Sequence, residues 1–142
     1  MKHRIVVLGA GYAGANAAGR LAKRLHPADT EITLVNADAE FVERVRMHQL
    51  ATGQDLKPRP LTDVFAGTGV QVRIAQVAAV DAERKSVGVV DTDGPGEIAY
   101  DTLVYALGST AADRGVPGVA EHAHHIAGKP STLRLRARLA DL

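Results

Sequence analysis

The chain has 142 residues, 46% of them hydrophobic and 23% charged, with a formal net charge of +1 and no cysteine. That length suits one domain with a core of its own, and the near-neutral balance excludes a general polyanion binder such as a nucleic-acid protein, which needs a basic face. Without cysteine there is no disulfide scaffold, thiolate metal site or Cys-x-x-Cys relay, so any electrons passing through this chain must travel on an organic cofactor.

Lys2, His3 and Arg4 precede only a four-residue apolar run, Ile5-Val6-Val7-Leu8. This is too short for a secretory leader or a membrane span, and the sequence reads as cytoplasmic with no transmembrane segment. The run reads as a strand and leads directly into Gly9-Ala10-Gly11-Tyr12-Ala13-Gly14. A Gly-x-Gly-x-x-Gly turn between a strand and a helix is the device that holds a dinucleotide pyrophosphate. Gly9 permits the tight turn, Gly11 lets the backbone approach the phosphates, and Gly14 lets helix and strand pack closely, with helix N-terminal amides facing the anion. Such a turn alone is weak evidence, and its context decides. Ala17, Ala18, Leu21, Ala22 and Leu25 follow at helical spacing, and His26-Pro27 ends that helix. A second apolar run, Ile32-Thr33-Leu34-Val35, ends at Asn36. This is the position, about 20 residues beyond the last glycine, that meets the adenosine ribose in such folds. A carboxylate there accepts from both ribose hydroxyls, whereas the amide of Asn36 offers a single acceptor oxygen and a donating NH2. Asp38 is an alternative ribose acceptor or a solvated turn residue, and no arginine follows Asn36 immediately to read a 2′-phosphate.

Phe41 to Leu50 reads as helical or irregular, closed by Ala51-Thr52-Gly53. Lys57-Pro58-Arg59-Pro60 is a connector, because proline lacks the amide and restricts its predecessor. Leu61 to Phe65 reads as a short helix capped by Thr62 or Asp63 and stopped by Gly67 and Gly69. From Val70 the periodicity changes to alternation. Val70, Val72 and Ile74, then Val77 to Val80 and Ser86 to Val90, read as strands, with a turn at Asp93-Gly94-Pro95-Gly96 and a return strand from Ile98 to Leu107. The expectation is an antiparallel β-meander inserted after a parallel βαβ unit, in which Tyr100 and Tyr105 pack within the last strand. His122, His124 and His125 lie in an apparent loop without cysteine partners and do not make a metal site. Arg134, Arg136 and Arg138 read as an exposed charged face of a tail helix that starts at Pro130-Ser131-Thr132 and carries Leu135, Leu139 and Leu142.

The stretch from Ile5 to Gly14, the segment Ile98-Ala99-Tyr100-Asp101-Thr102-Leu103-Val104-Tyr105-Ala106-Leu107-Gly108-Ser109 and the meander between them resemble the FAD-binding part of the pyridine-nucleotide-dependent flavoprotein oxidoreductases. Within these, the chain is similar to the cysteine-free branch, the type II NADH dehydrogenases. The second segment matches that family's YD-x-LV-x-A-[TL]-G motif. Two motifs in order are far more specific than either alone, and the likeness runs from Ile5 past Pro117-Gly118-Val119 into the tail helix. The resemblance implies an α/β, Rossmann-like FAD-binding fold over residues 1–116. Residues 117–142 would form a connector and terminal helix toward a nicotinamide-binding domain. The fold is incomplete relative to the family's two dinucleotide-binding domains, because the second Gly-x-Gly-x-x-Gly domain and the flavin return segment are not among these 142 residues.

Carried over by that resemblance, Gly9, Gly11, Tyr12, Ala13 and Gly14 would contact the pyrophosphate and Asn36 the ribose. Val77 would offer backbone groups to the adenine, and Ala106, Leu107 and Gly108 would line a second, flavin-side loop, with a close backbone approach at Gly108. Arg44 or Arg46 would approach the phosphates or flavin, or else form a solvated helix face. No side chain is nominated as catalytic, because the hydride step belongs to FAD and the co-substrate NAD(P)H. The function implied is electron transfer from a nicotinamide through FAD to an acceptor such as a quinone, in a protein reaching the membrane only peripherally. Two other readings remain at this stage: a non-catalytic FAD- or ADP-binding module working with a partner chain or as an oligomer through its tail leucines, and a plain NAD-binding Rossmann domain. The meander and the Tyr100 to Gly108 motif weigh against the second.

Overall fold

The computed structural model describes residues 1–142 and divides into two compact units. The first comprises residues 1–41 and 59–108, the second residues 42–58 and 109–142.

The first unit is built on a four-stranded parallel sheet. Strand β1 (His3–Leu8) feeds helix α1 (Tyr12–Arg24), which returns to strand β2 (Thr30–Asn36). β1 and β2 pair in parallel from His3↔Thr30 to Leu8↔Val35. The run Ile5 to Leu8 is fully apolar because both faces of β1 are covered. Ile5 and Val7 join Ile32 and Leu34 against Ala18 of α1 on one face, while Val6 and Leu8 join Val35 on the other. Val7 and Leu8 are fully buried, which stabilises the fold by about 1.5–3 kcal/mol for each side chain. Helix α1 ends as expected, with Leu25 already extended ahead of His26-Pro27, and Lys23 and Arg24 complement the negative end of the helix dipole.

The short helix α3 (Leu61–Val64) lies in this unit; the residues 42–58, which contain helix α2 (Met47–Ala51), belong to the other. Its cap differs from expectation. Pro60 is the N-cap and no side chain caps the helix, so neither Thr62 nor Asp63 has that role. The preceding chain is instead held by a bridge between Glu40 and Pro60, in which the Leu61 amide donates to the Ala39 carbonyl at 2.8 Å. That pins Leu61, which with Phe65 fills the core beneath α1.

Strand β3 (Gln71–Ile74) corrects another expectation. It is not part of the meander but pairs in parallel with β2, from Thr33↔Gln71 to Asn36↔Ile74, giving the order β3-β2-β1-β7, in which β7 is Thr102–Tyr105. The meander proper is a separate antiparallel sheet of β4 (Gln76–Asp81), β5 (Ser86–Asp91) and β6 (Gly94–Ala99). Val87 and Val89 of β5 pack on the Val6, Leu8 and Val35 face of the parallel sheet. The unit is thus three layers: helix, parallel sheet and antiparallel sheet. Gly94-Pro95-Gly96, expected as a turn, is the start of β6 and pairs Asp91↔Gly94, Val90↔Pro95 and Val89↔Gly96. Proline is tolerated there because β6 is an edge strand. Arg73 of β3 meets Asp91 of β5 at 3.0 Å. The Asp91 carboxylate is held below its usual range, first by the Asp93 amide and then by Arg73.

The segment expected as one strand from Ile98 to Leu107 is two. The antiparallel strand β6 stops at Ala99, and β7 (Thr102–Tyr105) joins the parallel sheet beside β1, from Ile5↔Thr102 to Leu8↔Tyr105. Tyr100-Asp101 is the corner between the sheets. There the Asp101 amide donates to the Arg4 carbonyl at 2.8 Å, and the Asp101 carboxylate accepts from the Arg4 amide at 2.8 Å and from the Arg4 guanidinium at two positions, both 3.0 Å. Tyr100 is buried, as expected, but Tyr105 is 69% exposed because it ends an edge strand.

In the second unit a 3-10 turn over Arg44–Arg46 runs into helix α2 (Met47–Ala51), settling the stretch from Phe41 to Leu50 as part irregular, part helical. A four-residue helix α4 (Val119–His122) and helix α5 (Lys129–Ala140) follow. Pro130 occupies the first turn of α5 and the hydroxyls of Ser131 and Thr132 both donate to the Gly128 carbonyl. α5 packs beside α2, and Arg136 bonds Asp55 at 2.9 Å and the Gly53 carbonyl at 3.1 Å.

Candidate functional site

The strand order β3-β2-β1-β7 places successive strands on one side of β1 and then sends β7 to the other. β1 is therefore the point at which the direction of winding reverses, and in open α/β sheets ligands bind in the crevice beyond the strand C-termini at that point. Two segments leave the sheet there side by side: Gly9 to Gly14 after β1, and Ala106 to Gly108 after β7. Each is anchored to the preceding strand ends. The Gly9 amide donates to the Val35 carbonyl at 2.8 Å, and the Ala106 amide to the Leu8 carbonyl at 2.8 Å.

The glycines are distinguishable by what a side chain would meet. Gly9 has φ +92°, and a β-carbon on it would overlap the Ala106 carbonyl. A β-carbon on Gly14 would overlap the Gly9 carbonyl oxygen and lie 2.7 Å from its carbon, with the Ala106 β-carbon 3.5 Å away. Gly9, Gly14 and Ala106 thus form one tight junction between turn, helix and second loop. Gly11 is different: its φ is −75° and nothing lies within 4 Å of where its β-carbon would stand. The chain's own packing does not require glycine at position 11.

Gly11 is also the N-cap of α1 and no side chain caps the helix. The Ala15 amide is bonded to the Gly11 carbonyl at 2.9 Å, while the amides of Gly11, Ala13 and Gly14 precede the first carbonyl available in the helix. Gly11 and Ala13 are exposed and Gly14 is buried; first-turn amides at the positive end of a helix are the kind of arrangement that can take an anion. The Tyr12 ring turns aside to meet Phe41 edge to face, with centroids 5.3 Å apart.

Asn36 ends β2 on the same edge. Its Oδ1 accepts the Ala10 amide at 3.0 Å, and its Nδ2 donates to the Asp38 carbonyl at 2.8 Å. Asp38 itself is an exposed turn residue whose carboxylate accepts the Glu40 amide at 3.0 Å. The Ala75 amide donates to the Asn36 carbonyl at 2.9 Å, so Val77 leaves the same sheet edge two residues later. Val77 lies on an edge strand opposite Val89, and its side chain packs on the inner apolar cluster. Gly108 has φ +74° and is exposed with Leu107. Arg46 belongs to the second unit. Its guanidinium bonds Gln49 at 2.8 Å and Glu43 at 3.3 Å, while Arg44 donates to the Ser109 carbonyl at 2.9 Å.

Two contributors escaped the sequence reading, the Ala10 amide and Arg4. The backbone amide of Ala10 carries no side-chain signature. Arg4 signalled nothing locally because its partner Asp101 is far along the chain. Asp101 is held well below the usual carboxylate range, chiefly by the Arg4 guanidinium and then by the Arg4 amide, so it is a structural anion at the corner leading to β7.

The sequence pattern of the pyridine nucleotide-disulphide oxidoreductase family matches residues 3–141. Among curated proteins, the type II NADH:quinone oxidoreductase of Staphylococcus epidermidis is 31% identical over 99% of this chain, and that of Staphylococcus aureus 28% identical over the same share. The chain spans 35% of the length of these relatives. Among solved structures, NDH2 from Plasmodium falciparum superposes with a TM-score of 0.85 at 19% identity, over 99% of this chain and 29% of its own. The sulfide:quinone oxidoreductase of Aquifex aeolicus superposes with 0.86 at 24% identity, over 99% and 32%. These structural likenesses establish the α/β fold, with its parallel βαβ sheet and added antiparallel sheet. The match of the family pattern to nearly the whole chain leaves a plain NAD-binding Rossmann domain without support, and the chain belongs to the pyridine nucleotide-disulphide oxidoreductase family.

Proposed function

We propose that this chain is the FAD-binding portion of a flavin-dependent NAD(P)H oxidoreductase that passes electrons from a nicotinamide to an acceptor such as a quinone. The observation that carries this reading is the junction of Gly9, Gly14 and Ala106 beside the cleared, uncapped helix end at Gly11. In this reading the close packing of Gly9, Gly14 and Ala106 shapes the turn, and the open side of Gly11 is where a pyrophosphate would lie. The type II NADH:quinone oxidoreductases that resemble this chain supply the reaction class.

In this reading Gly9, Gly11, Tyr12, Ala13 and Gly14 hold the pyrophosphate, Asn36 stands at the adenosine ribose, and the backbone at Val77 faces the adenine. Ala106, Leu107 and Gly108 border the flavin side. Residues 1–116 form the cofactor-binding part, and 117–142 connect it to a nicotinamide-binding part. When bound, FAD supplies the hydride-accepting chemistry, and the protein's part is to orient it and keep water away. No side chain of this chain is assigned a proton transfer. In this reading the complete protein is cytoplasmic and meets the membrane only peripherally, where a quinone is reached.

The test is absorbance spectroscopy of the purified chain incubated with FAD, before and after NADH. The reading expects flavin to bind, and to be bleached by NADH once the remainder of the longer protein is present. A chain that gains no flavin absorbance contradicts it.

A further inference from the structure

The side chain of Asn36 makes two hydrogen bonds that admit only one orientation of its amide. The Ala10 amide can only donate, and it lies 3.0 Å from Oδ1; the Asp38 carbonyl can only accept, and it lies 2.8 Å from Nδ2. Rotating the amide by half a turn would set NH2 against N–H and oxygen against oxygen. Ala10 is buried at 3% exposure. Its amide therefore needs a partner within the protein, and Asn36 supplies it. Ala10 sits between Gly9, whose carbonyl packs against Gly14, and Gly11, the cap of α1.

We propose that Asn36 is a positioning residue that acts through the glycine loop rather than through the ribose hydroxyls. Its Oδ1 fixes the peptide between Gly9 and Ala10, and the Asp38 carbonyl fixes Asn36 in turn. One acceptor lone pair and one amide hydrogen are thereby committed to the protein. The loop is set before any pyrophosphate arrives, so less ordering is required on binding. This inference rests on the dinucleotide-binding reading above for its consequence, and on the two hydrogen bonds alone for the clamp.

The test uses the 142-residue chain and its Asn36→Ala and Asn36→Asp variants, with amide hydrogen exchange of Ala10 and binding of ADP and 2′,3′-dideoxy-ADP. In Asn36→Ala the Ala10 amide is expected to exchange at least about tenfold faster, while the amides of Ile32 and Leu34 keep their protection. Asn36→Asp retains an acceptor of the same length and is expected to restore the protection of Ala10. Asn36→Ala is also expected to weaken ADP and dideoxy-ADP by the same factor, about five- to tenfold, the scale of one lost hydrogen bond. Unchanged exchange at Ala10, or no recovery in Asn36→Asp, overturns the clamp. A loss seen with ADP but not with dideoxy-ADP also overturns the proposal, because it would show Asn36 reading the hydroxyls directly. If the unsubstituted chain bound neither nucleotide, the dinucleotide-binding reading would fall, and exchange at Ala10 would still decide the clamp.

Discussion

The carbonyl oxygen of Gly9 occupies the space that a β-carbon on Gly14 would need. The contact is backbone to backbone, so no rotamer change can relieve it. Gly14→Ala is expected to destabilise the fold by at least about 2 kcal/mol, the scale of overpacking at a site that cannot give way. Urea unfolding followed by circular dichroism measures this through the shift of the midpoint.

Gly11 gives the opposite pairing of effects. Its backbone is in a conformation any residue adopts, and its side is open. Gly11→Ala is expected to change stability by less than about 1 kcal/mol, the scale of an N-cap substitution. ADP and FAD binding should nevertheless fall by about tenfold or more, because the new methyl group stands where the pyrophosphate approaches. Calorimetric titration of a variant with an unchanged unfolding midpoint separates the two effects.

The ion pair of Arg4 and Asp101 makes stability depend on acid. The Asp101 carboxylate titrates below its unfolded value because Arg4 stabilises the charged form. Its contribution is therefore complete above about pH 4, the unfolded range for aspartate, and is lost as pH falls through the lower folded value. Asp101→Asn is expected to be less stable than the parent at pH 7, with the gap narrowing as pH drops below about 4. Urea midpoints collected across that range measure the difference, and a gap that widens on acidification would contradict this assignment.

Tyr100 and Tyr105 lie five residues apart in one motif yet have different surroundings, at 6% and 69% exposure. Tyr100→Ala is expected to cost about 3–5 kcal/mol by opening the cluster around Leu8 and Val87. Tyr105→Ala should stay within about 0.5 kcal/mol in stability. Thermal unfolding of both variants checks the contrast.

The central strand, the first helix and the glycine turn were legible because each is written locally. Ile5 to Leu8 is apolar throughout, Ala18 and Leu21 share a face, and His26-Pro27 closes the helix. What was misread depends on partners distant in sequence. Val70 to Ile74 alternates like any half-buried strand, and nothing in it says that it will run parallel to β2. Gly94-Pro95-Gly96 carries turn chemistry, but pairing with β5 draws it into an edge strand. The break at Tyr100-Asp101 interrupts a continuous strand-favouring run because Arg4 captures Asp101 at a corner between two sheets. The candidate site followed the same rule. Its glycines were readable from spacing and Ala106 from the second motif, whereas the bond from the Ala10 amide to Asn36 became visible only once the loops had met.

The claim that this chain seats the ADP half of FAD is tested most directly by competition binding of FAD, ADP and FMN to the purified 142-residue protein. FAD and ADP are expected to bind saturably at one site and to displace each other. FMN, which lacks the ADP half, should not compete. Equal binding of FMN, or no competition between ADP and FAD, would contradict the account.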